Sequence, residues 1–153
     1  MMIVFLGPPG AGKGTQAETI SKEKNIPHIS SGNLLREAVE AGTETGINAR
    51  YYIEKGLLVP DQIVVDIIKD RILKNDCKAG FVLDGFPRTL SQAKVLDEML
   101  RNLGNRLDIV FYFSVSKENV VQRLSGRLIC SDCGANYHKT HVPSSKDGIC
   151  DKC

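Results

Sequence analysis

The sequence predicts a three-layer α/β fold, with a parallel β-sheet between helices, a helical insertion and a small cysteine-rich module. Three observations predict it. The apolar run Met2-Ile3-Val4-Phe5-Leu6 leads into a glycine-rich loop and then into a segment of helix-forming composition. Further apolar runs alternate with segments of helical period, the pattern of successive βαβ units. Four of the five cysteines form two Cys-x-x-Cys pairs within residues 130–153.

Taken in order, residues 2–6 read as a buried strand. Gly7-Pro8-Pro9-Gly10-Ala11-Gly12-Lys13-Gly14-Thr15 follows, with the Gly-x4-Gly-Lys spacing of a phosphate-binding P-loop. Glycines there leave backbone N–H groups free to converge on phosphate oxygens, and the next helix adds the positive end of its dipole. Lys13 supplies a mobile charge for the outer phosphates, and the loop's hydroxyl comes at Thr15. The helix is expected over 16–23, then a weaker strand at 27–30.

Residues 31–59 contain no strand pattern and read as two or three short helices broken by Gly42, Gly46 and Gly56. Helical periodicity returns at 61–74, with Val64, Ile67, Ile68 and Ile72 on one face. Residues 80–83 form the next strand run. Residues 89–103 place Ala93, Leu96, Leu100 and Leu103 at helical steps. A strand is expected at 108–113 and a Ser116-capped helix up to Leu124.

A chain of 153 residues holds one core and at most a small appended module. Charged residues make up 25% and apolar ones 42%, ordinary for a globular protein. The formal charge of +2 and the lack of an aromatic–basic stripe argue against nucleic acid. No apolar run is long enough to span a membrane. Met1–Leu6 does not read as a signal peptide. Cysteines clustered beside a nucleotide loop suggest a reducing, cytoplasmic setting.

Residues 127–153 hold too few apolar residues for their own core and need a staple. Cys130-x2-Cys133-x16-Cys150-x2-Cys153 has the spacing of a four-thiolate zinc site, closed by protein ligands and therefore structural. Free thiols or vicinal disulfides are the alternative, and His138 and His141 could compete as ligands. Cys77 reads as an ordinary thiol.

Phe81-Val82-Leu83-Asp84 is an apolar strand ending in a carboxylate. Beside a P-loop, such an Asp organises Mg²⁺ and its waters. Arg88 lies just past that strand end, where α/β folds place ligands and where a guanidinium can grip phosphate bidentately. Arg36 sits on the early insertion. Arg123 and Arg127 bracket the start of the cysteine module.

With these motifs in order along the whole chain, the sequence resembles the adenylate kinases. The P-loop, Ser31-Gly32-Asn33-Leu34-Leu35-Arg36, Gly56-Leu57-Leu58-Val59-Pro60-Asp61 and Asp84-Gly85-Phe86-Pro87-Arg88-Thr89 carry the resemblance, together with the cysteine segment after Gly126-Arg127. The resemblance is to the bacterial long-lid form with a zinc-bearing lid. The resemblance implies a core of residues 1–30 and 60–126, an AMP-binding domain of 31–59 and a lid of 127–153. It implies ATP binding by Gly10, Ala11, Gly12, Lys13, Gly14, Thr15, Arg123, Arg127 and Tyr137. AMP binding falls to Ser31, Arg36, Leu57, Val59, Gly85, Arg88 and Gln92. Catalysis falls to Lys13, Asp84, Arg88, Arg123 and Arg127, with Mg²⁺ accompanying ATP, one structural Zn²⁺, ADP as product and a monomeric intact enzyme.

Ser31 stands where the family usually has threonine, and Asn33 where it has aspartate. The family also continues beyond Cys153, which leads to the expectation of an incomplete lid, an open edge at strand 108–113 and a weakly active, marginally stable chain. Other readings are a kinase for UMP/CMP or GMP, an inactive fragment, or a zinc-ribbon binding module. Gln92, able to donate and accept, favours adenine.

Overall fold

The computed structural model describes residues 1–153. The chain divides into two compact units: Met1–Gly7 with Gly12–Phe113, and Pro8–Ala11 with Ser114–Cys153.

The first unit is built on a four-stranded sheet. Its strands are β1 (Met2–Leu6), β2 (His28–Ser30), β3 (Phe81–Asp84) and β4 (Ile109–Tyr112), in the order β2-β3-β1-β4. Every pairing is parallel, with Val4 opposite both Leu83 and Val110. The chain leaves β1 toward one side of the sheet and crosses from β3 to β4 on the other. The loops after β1 and β3 therefore flank the topological switch point, where α/β sheets bind ligands.

β1 and β3 are near-continuous apolar runs because both of their faces are covered. One set of side chains (Met2, Val4, Ile29, Phe81, Leu83) packs with Ile68, Leu96 and Leu100. The alternate set, Ile3, Phe5 and Val82, packs with Ala17 and Ile26. Ala17 belongs to α1 (Lys13–Lys24), Ile68 to α4 (Asp61–Ile72), and Leu96 and Leu100 to α5 (Leu90–Asn102). Helices thus cover both faces of the sheet, as expected.

The periodicity arguments need two adjustments. On α4 the buried positions are Val64, Val65, Ile68 and Ile72, while Ile67 is half-buried. Leu103 is 43% exposed because α5 stops at Asn102, so the apolar face ends at Leu100. β4 lies at the sheet edge, and Ile109, Val110, Phe111 and Tyr112 are all exposed.

The expected helical insertion consists of α2 (Ser31–Glu40) and α3 (Glu44–Glu54). Each begins at a hydroxyl: Ser30 accepts from the Asn33 N–H and Thr43 from the Gly46 N–H. Leu35 and Ala49 join the same core as α4 and α5.

In the second unit α6 (Lys117–Ser125) starts at Ser116, whose hydroxyl accepts from the Asn119 N–H, and it fully buries no residue. An antiparallel hairpin of β5 (Arg127–Ile129) and β6 (Asn136–His138) follows. The sequence pattern predicts no strands there.

The α2–α3 contact generates a prediction of unusual sign. Alanine usually stabilises a helix relative to glycine by about 1 kcal/mol. At Gly46, however, an added Cβ would lie 2.0 Å from the Ala38 carbonyl oxygen and 2.6 Å from the Val39 nitrogen. Gly46→Ala should therefore destabilise the protein by about 1–3 kcal/mol, lowering the melting temperature by several degrees. An unchanged or raised melting temperature would contradict the close helix approach.

Candidate active site and metal centre

β1 ends at Leu6 and is followed by Gly7, where φ is +140° and an added Cβ would sit 2.6 Å from the Phe113 carbonyl oxygen. Only glycine fits there. Gly12, at φ +93°, begins α1 without a side-chain cap, which leaves first-turn N–H groups to other acceptors. The Lys13 ammonium donates to the Gly7 carbonyl at 2.9 Å, so it curls back over the start of the loop. Asp84 closes this corner: its Oδ2 would be 3.4 Å from a Cβ at Gly14. The structure thus brings Lys13, Gly14 and Asp84 together at the switch point, with Thr15 exposed on the first turn of α1.

His28 had no role in the sequence reading. Its Nε2 lies 3.5 Å from Asp84 Oδ2, and both side chains are largely buried. A polar ring at the start of a strand was the only available signal. Within the second unit, the Gly10 carbonyl accepts from Arg123 Nη1 at 3.3 Å, and Ala11 is buried.

A second constellation surrounds the β3–α5 loop. Gly85, at φ +80°, presents a carbonyl that accepts from Ser31 Oγ and Arg88 Nε, both at 2.8 Å. The serine hydroxyl, standing in for threonine, is therefore engaged. A cavity of about 200 Å³ opens beside it, lined by Ser31, Arg36, Leu57, Val59, Arg88 and Gln92 among others. These are the residues that the resemblance assigns to AMP, except for Gly85 itself. Arg36 Nη2 donates to Asn33 Oδ1, so the departure from aspartate leaves an oxygen that orients this arginine.

Gln92 is 3% exposed, and a buried amide must be hydrogen-bonded. Its Oε1 accepts from the Arg88 N–H at 2.7 Å, and its Nε2 donates to Asp61 Oδ1 at 2.7 Å. Asp61 Oδ2 accepts from Thr89 Oγ1 at 2.7 Å. Asp61 was quoted in a motif but given no role. A carboxylate opening a helix already has a local explanation, and only tertiary structure reveals its second task.

The four cysteines converge. Cys130 and Cys153 Sγ are 3.6 Å apart, as are Cys133 and Cys150, and all four sulfurs lie within 4.8 Å of one another. Tetrahedral zinc with bonds of about 2.3 Å separates its sulfurs by about 3.8 Å, so this set fits that ion. No disulfide joins any of the five cysteines. The histidines do not join the cluster. His138 Nδ1 accepts from the Thr140 and His141 N–H groups, and its Nε2 faces the Gln122 carbonyl.

Tyr137 supports the sulfurs. Its hydroxyl lies 3.4 Å from Cys150 Sγ and accepts from the Asp151 N–H at 2.7 Å. Together with the Lys152 N–H, it holds the Cys150 thiol down at about 6. Arg127 donates to Asn136 Oδ1 across the hairpin. Cys77 is buried in the first unit's core, and burial pushes its thiol up, in keeping with an ordinary structural cysteine.

A glycine loop and lysine after the first strand, with a carboxylate at the end of the neighbouring parallel strand, define a P-loop phosphate-binding α/β protein. The sequence matches the family model "Adenylate kinase" over residues 5–152, and the chain belongs to the adenylate kinase family. It is 54% identical over 153 residues to an adenylate kinase of Caldicellulosiruptor bescii, covering all of this chain and 71% of that protein. It is 53% identical to one from Archaeoglobus fulgidus, covering all of this chain and 70% of that protein. For Thermosipho africanus the identity is 54%, covering all of this chain and 72% of that protein.

The Tyr137 contact predicts a measurable effect. Tyr137→Phe removes the hydroxyl and keeps the ring. Loss of such an outer-shell partner should weaken zinc binding about 10–100-fold, read by competition with a chromogenic chelator. An unchanged affinity would show that the hydroxyl does not support Cys150.

Proposed function

We propose that this adenylate kinase transfers the γ-phosphoryl group of MgATP to AMP with the residues gathered at the switch point and around Gly85. A phosphate oxygen of AMP attacks the γ-phosphorus in line. A new P–O bond forms as the bond to the β–γ bridging oxygen breaks, and two ADP result. No side chain becomes covalently bound. Catalysis rests on positioning and on neutralising charge.

Lys13 and the amides of Gly10, Ala11, Gly12, Gly14 and Thr15 hold the ATP phosphates. Asp84 would help to order the Mg²⁺ that accompanies ATP. Arg36 and Arg88 hold the AMP phosphate, while Ser31, Leu57, Val59, Gly85 and Gln92 enclose its base. Arg123 and Arg127 neutralise the transferring group, and Tyr137 contributes to ATP binding. Residues 31–59 act as the AMP-binding domain, 127–153 as the lid, and 1–30 with 60–126 as the core. Closure over substrates would exclude water, which otherwise competes as acceptor.

Cys130, Cys133, Cys150 and Cys153 would hold one Zn²⁺, which would supply a cross-link for the hairpin module and, with four protein ligands and no open position, would take no part in the chemistry. Its thiolates suit a reducing cytoplasm.

The observation that carries this reading is the convergence of Ser31, Arg88 and buried Gln92 on one small cavity at the end of β3, next to the strand that leads into the P-loop. Initial rates with MgATP and each of AMP, GMP, CMP and UMP test it. AMP is expected to be the best acceptor. A preference for CMP or UMP would make the chain a different nucleoside monophosphate kinase.

Two substitutions sharpen the test. Lys13→Ala should lower turnover about a hundredfold or more by removing a charge-assisted contact to the transferring phosphates. Arg88→Ala should lower kcat/KM for AMP by a comparable factor while leaving KM for ATP nearly unchanged. Near-normal turnover in either variant would remove that residue from the mechanism.

A further inference from the structure

The buried amide of Gln92 is held from both ends by groups that cannot exchange roles. At one end is the Arg88 backbone N–H, which only donates; it meets Oε1 at 2.7 Å. At the other is the Asp61 carboxylate, which in its ionised form only accepts; it meets Nε2 at 2.7 Å. Rotating the amide by 180° would set N–H against N–H and oxygen against carboxylate. Asp61 is itself held, since its other oxygen accepts from Thr89 Oγ1 at 2.7 Å. Thr89 in turn caps α5, its hydroxyl accepting from the Gln92 N–H at 3.1 Å. Asp61, Thr89 and Gln92 all line the same cavity.

An amide carries two N–H donors and two lone pairs on its oxygen. With one of each committed, Gln92 keeps one donor and one acceptor for a ligand, in a set order. This order matters for a purine. A 6-aminopurine offers a donor at position 6 and an acceptor at N1. A 6-oxopurine offers the reverse, an acceptor at position 6 and a donor at N1. A glutamine free to turn over satisfies either edge, whereas a locked one satisfies a single order and leaves unpaired buried groups against the other.

We propose that Asp61 is a specificity-determining positioning residue, which by locking the Gln92 amide makes the cavity select a 6-aminopurine over a 6-oxopurine nucleotide. This rests on the reading of the cavity as the site for the acceptor base. Asp61 need not touch the nucleotide. It acts through the orientation of Gln92.

Asp61→Asn tests the proposal. Asparagine has the same shape but can either donate or accept, so it removes the Asp61 half of the lock and leaves only the Arg88 N–H to oppose a turned amide. Dissociation constants of AMP and IMP are measured calorimetrically on the full chain, wild type and variant. IMP differs from AMP only in the 6-position and N1 hydrogen-bonding pattern, which removes steric effects of a 2-amino group.

The wild-type chain should bind AMP more tightly than IMP, and D61N should narrow that ratio by about tenfold. Asp61→Glu, which remains an acceptor, should retain more of the discrimination. A merely structural role would weaken both nucleotides alike, so a D61N ratio within twofold of wild type overturns the proposal and leaves the acceptor-site reading standing. Equal binding of AMP and IMP by the wild-type chain overturns the adenine reading itself, and the lock with it. Should D61N not fold, Asp61→Ser, equally able to donate or accept, is measured instead against the same expected ratio.

Discussion

The burial of β3 is the constraint on which the rest of the first unit depends. Val82 and Leu83 are fully buried, with β1 on one side and β2 on the other. A strand covered on both faces and both edges is held in register by close packing: a one-residue slip would exchange side chains between two packed layers, Phe81 and Leu83 on one face and Val82 on the other. Its end is therefore fixed, and with it the carboxylate of Asp84 and the carbonyl of Gly85. Asp84 is held at the first turn of α1. Gly85 draws in Ser31 from the helical insertion and Arg88 from its own loop. A hydrophobic requirement in the middle of the sheet thus becomes a polar geometry at its rim.

The second unit solves a different problem. Its helix fully buries no residue, and its hairpin has strands of only three residues each. Little apolar area is available to oppose the conformational entropy of residues 127–153. Four cysteine sulfurs within 4.8 Å of one another, a set that fits one zinc ion, offer the missing cohesion. Tyr137 then tethers β6 to the Cys150–Asp151 turn through one hydroxyl, so the cysteine cluster and the hairpin form one structure.

The parts of this protein legible in the sequence are those whose chemistry dictates spacing. The P-loop glycines and Lys13, the cysteine quartet, and the apolar strands ending at Leu6 and Asp84 all belong to that group. Less legible were features decided by tertiary packing. Leu103 continues the periodicity of α5 but lies beyond the helix end. The β5–β6 hairpin is too short, and its residues too polar, to show an alternating pattern. Asn33 differed from the family residue without evident consequence until its oxygen was seen to receive Arg36. Asp61 and His28 each had an adequate local explanation, a helix start and a strand start, which concealed partners 31 residues away at Gln92 and across the sheet at Asp84.

The central claim is that the rim of β3 organises the acceptor-nucleotide site. The most direct measurement is a titration of isotopically labelled protein with AMP, followed through backbone amide chemical shifts. The account predicts saturable shifts concentrated at Ser31–Arg36 and Gly85–Gln92, with β4 and the second unit's hairpin little affected. Shifts confined to residues 114–153, or no saturable binding by a folded protein, would contradict it.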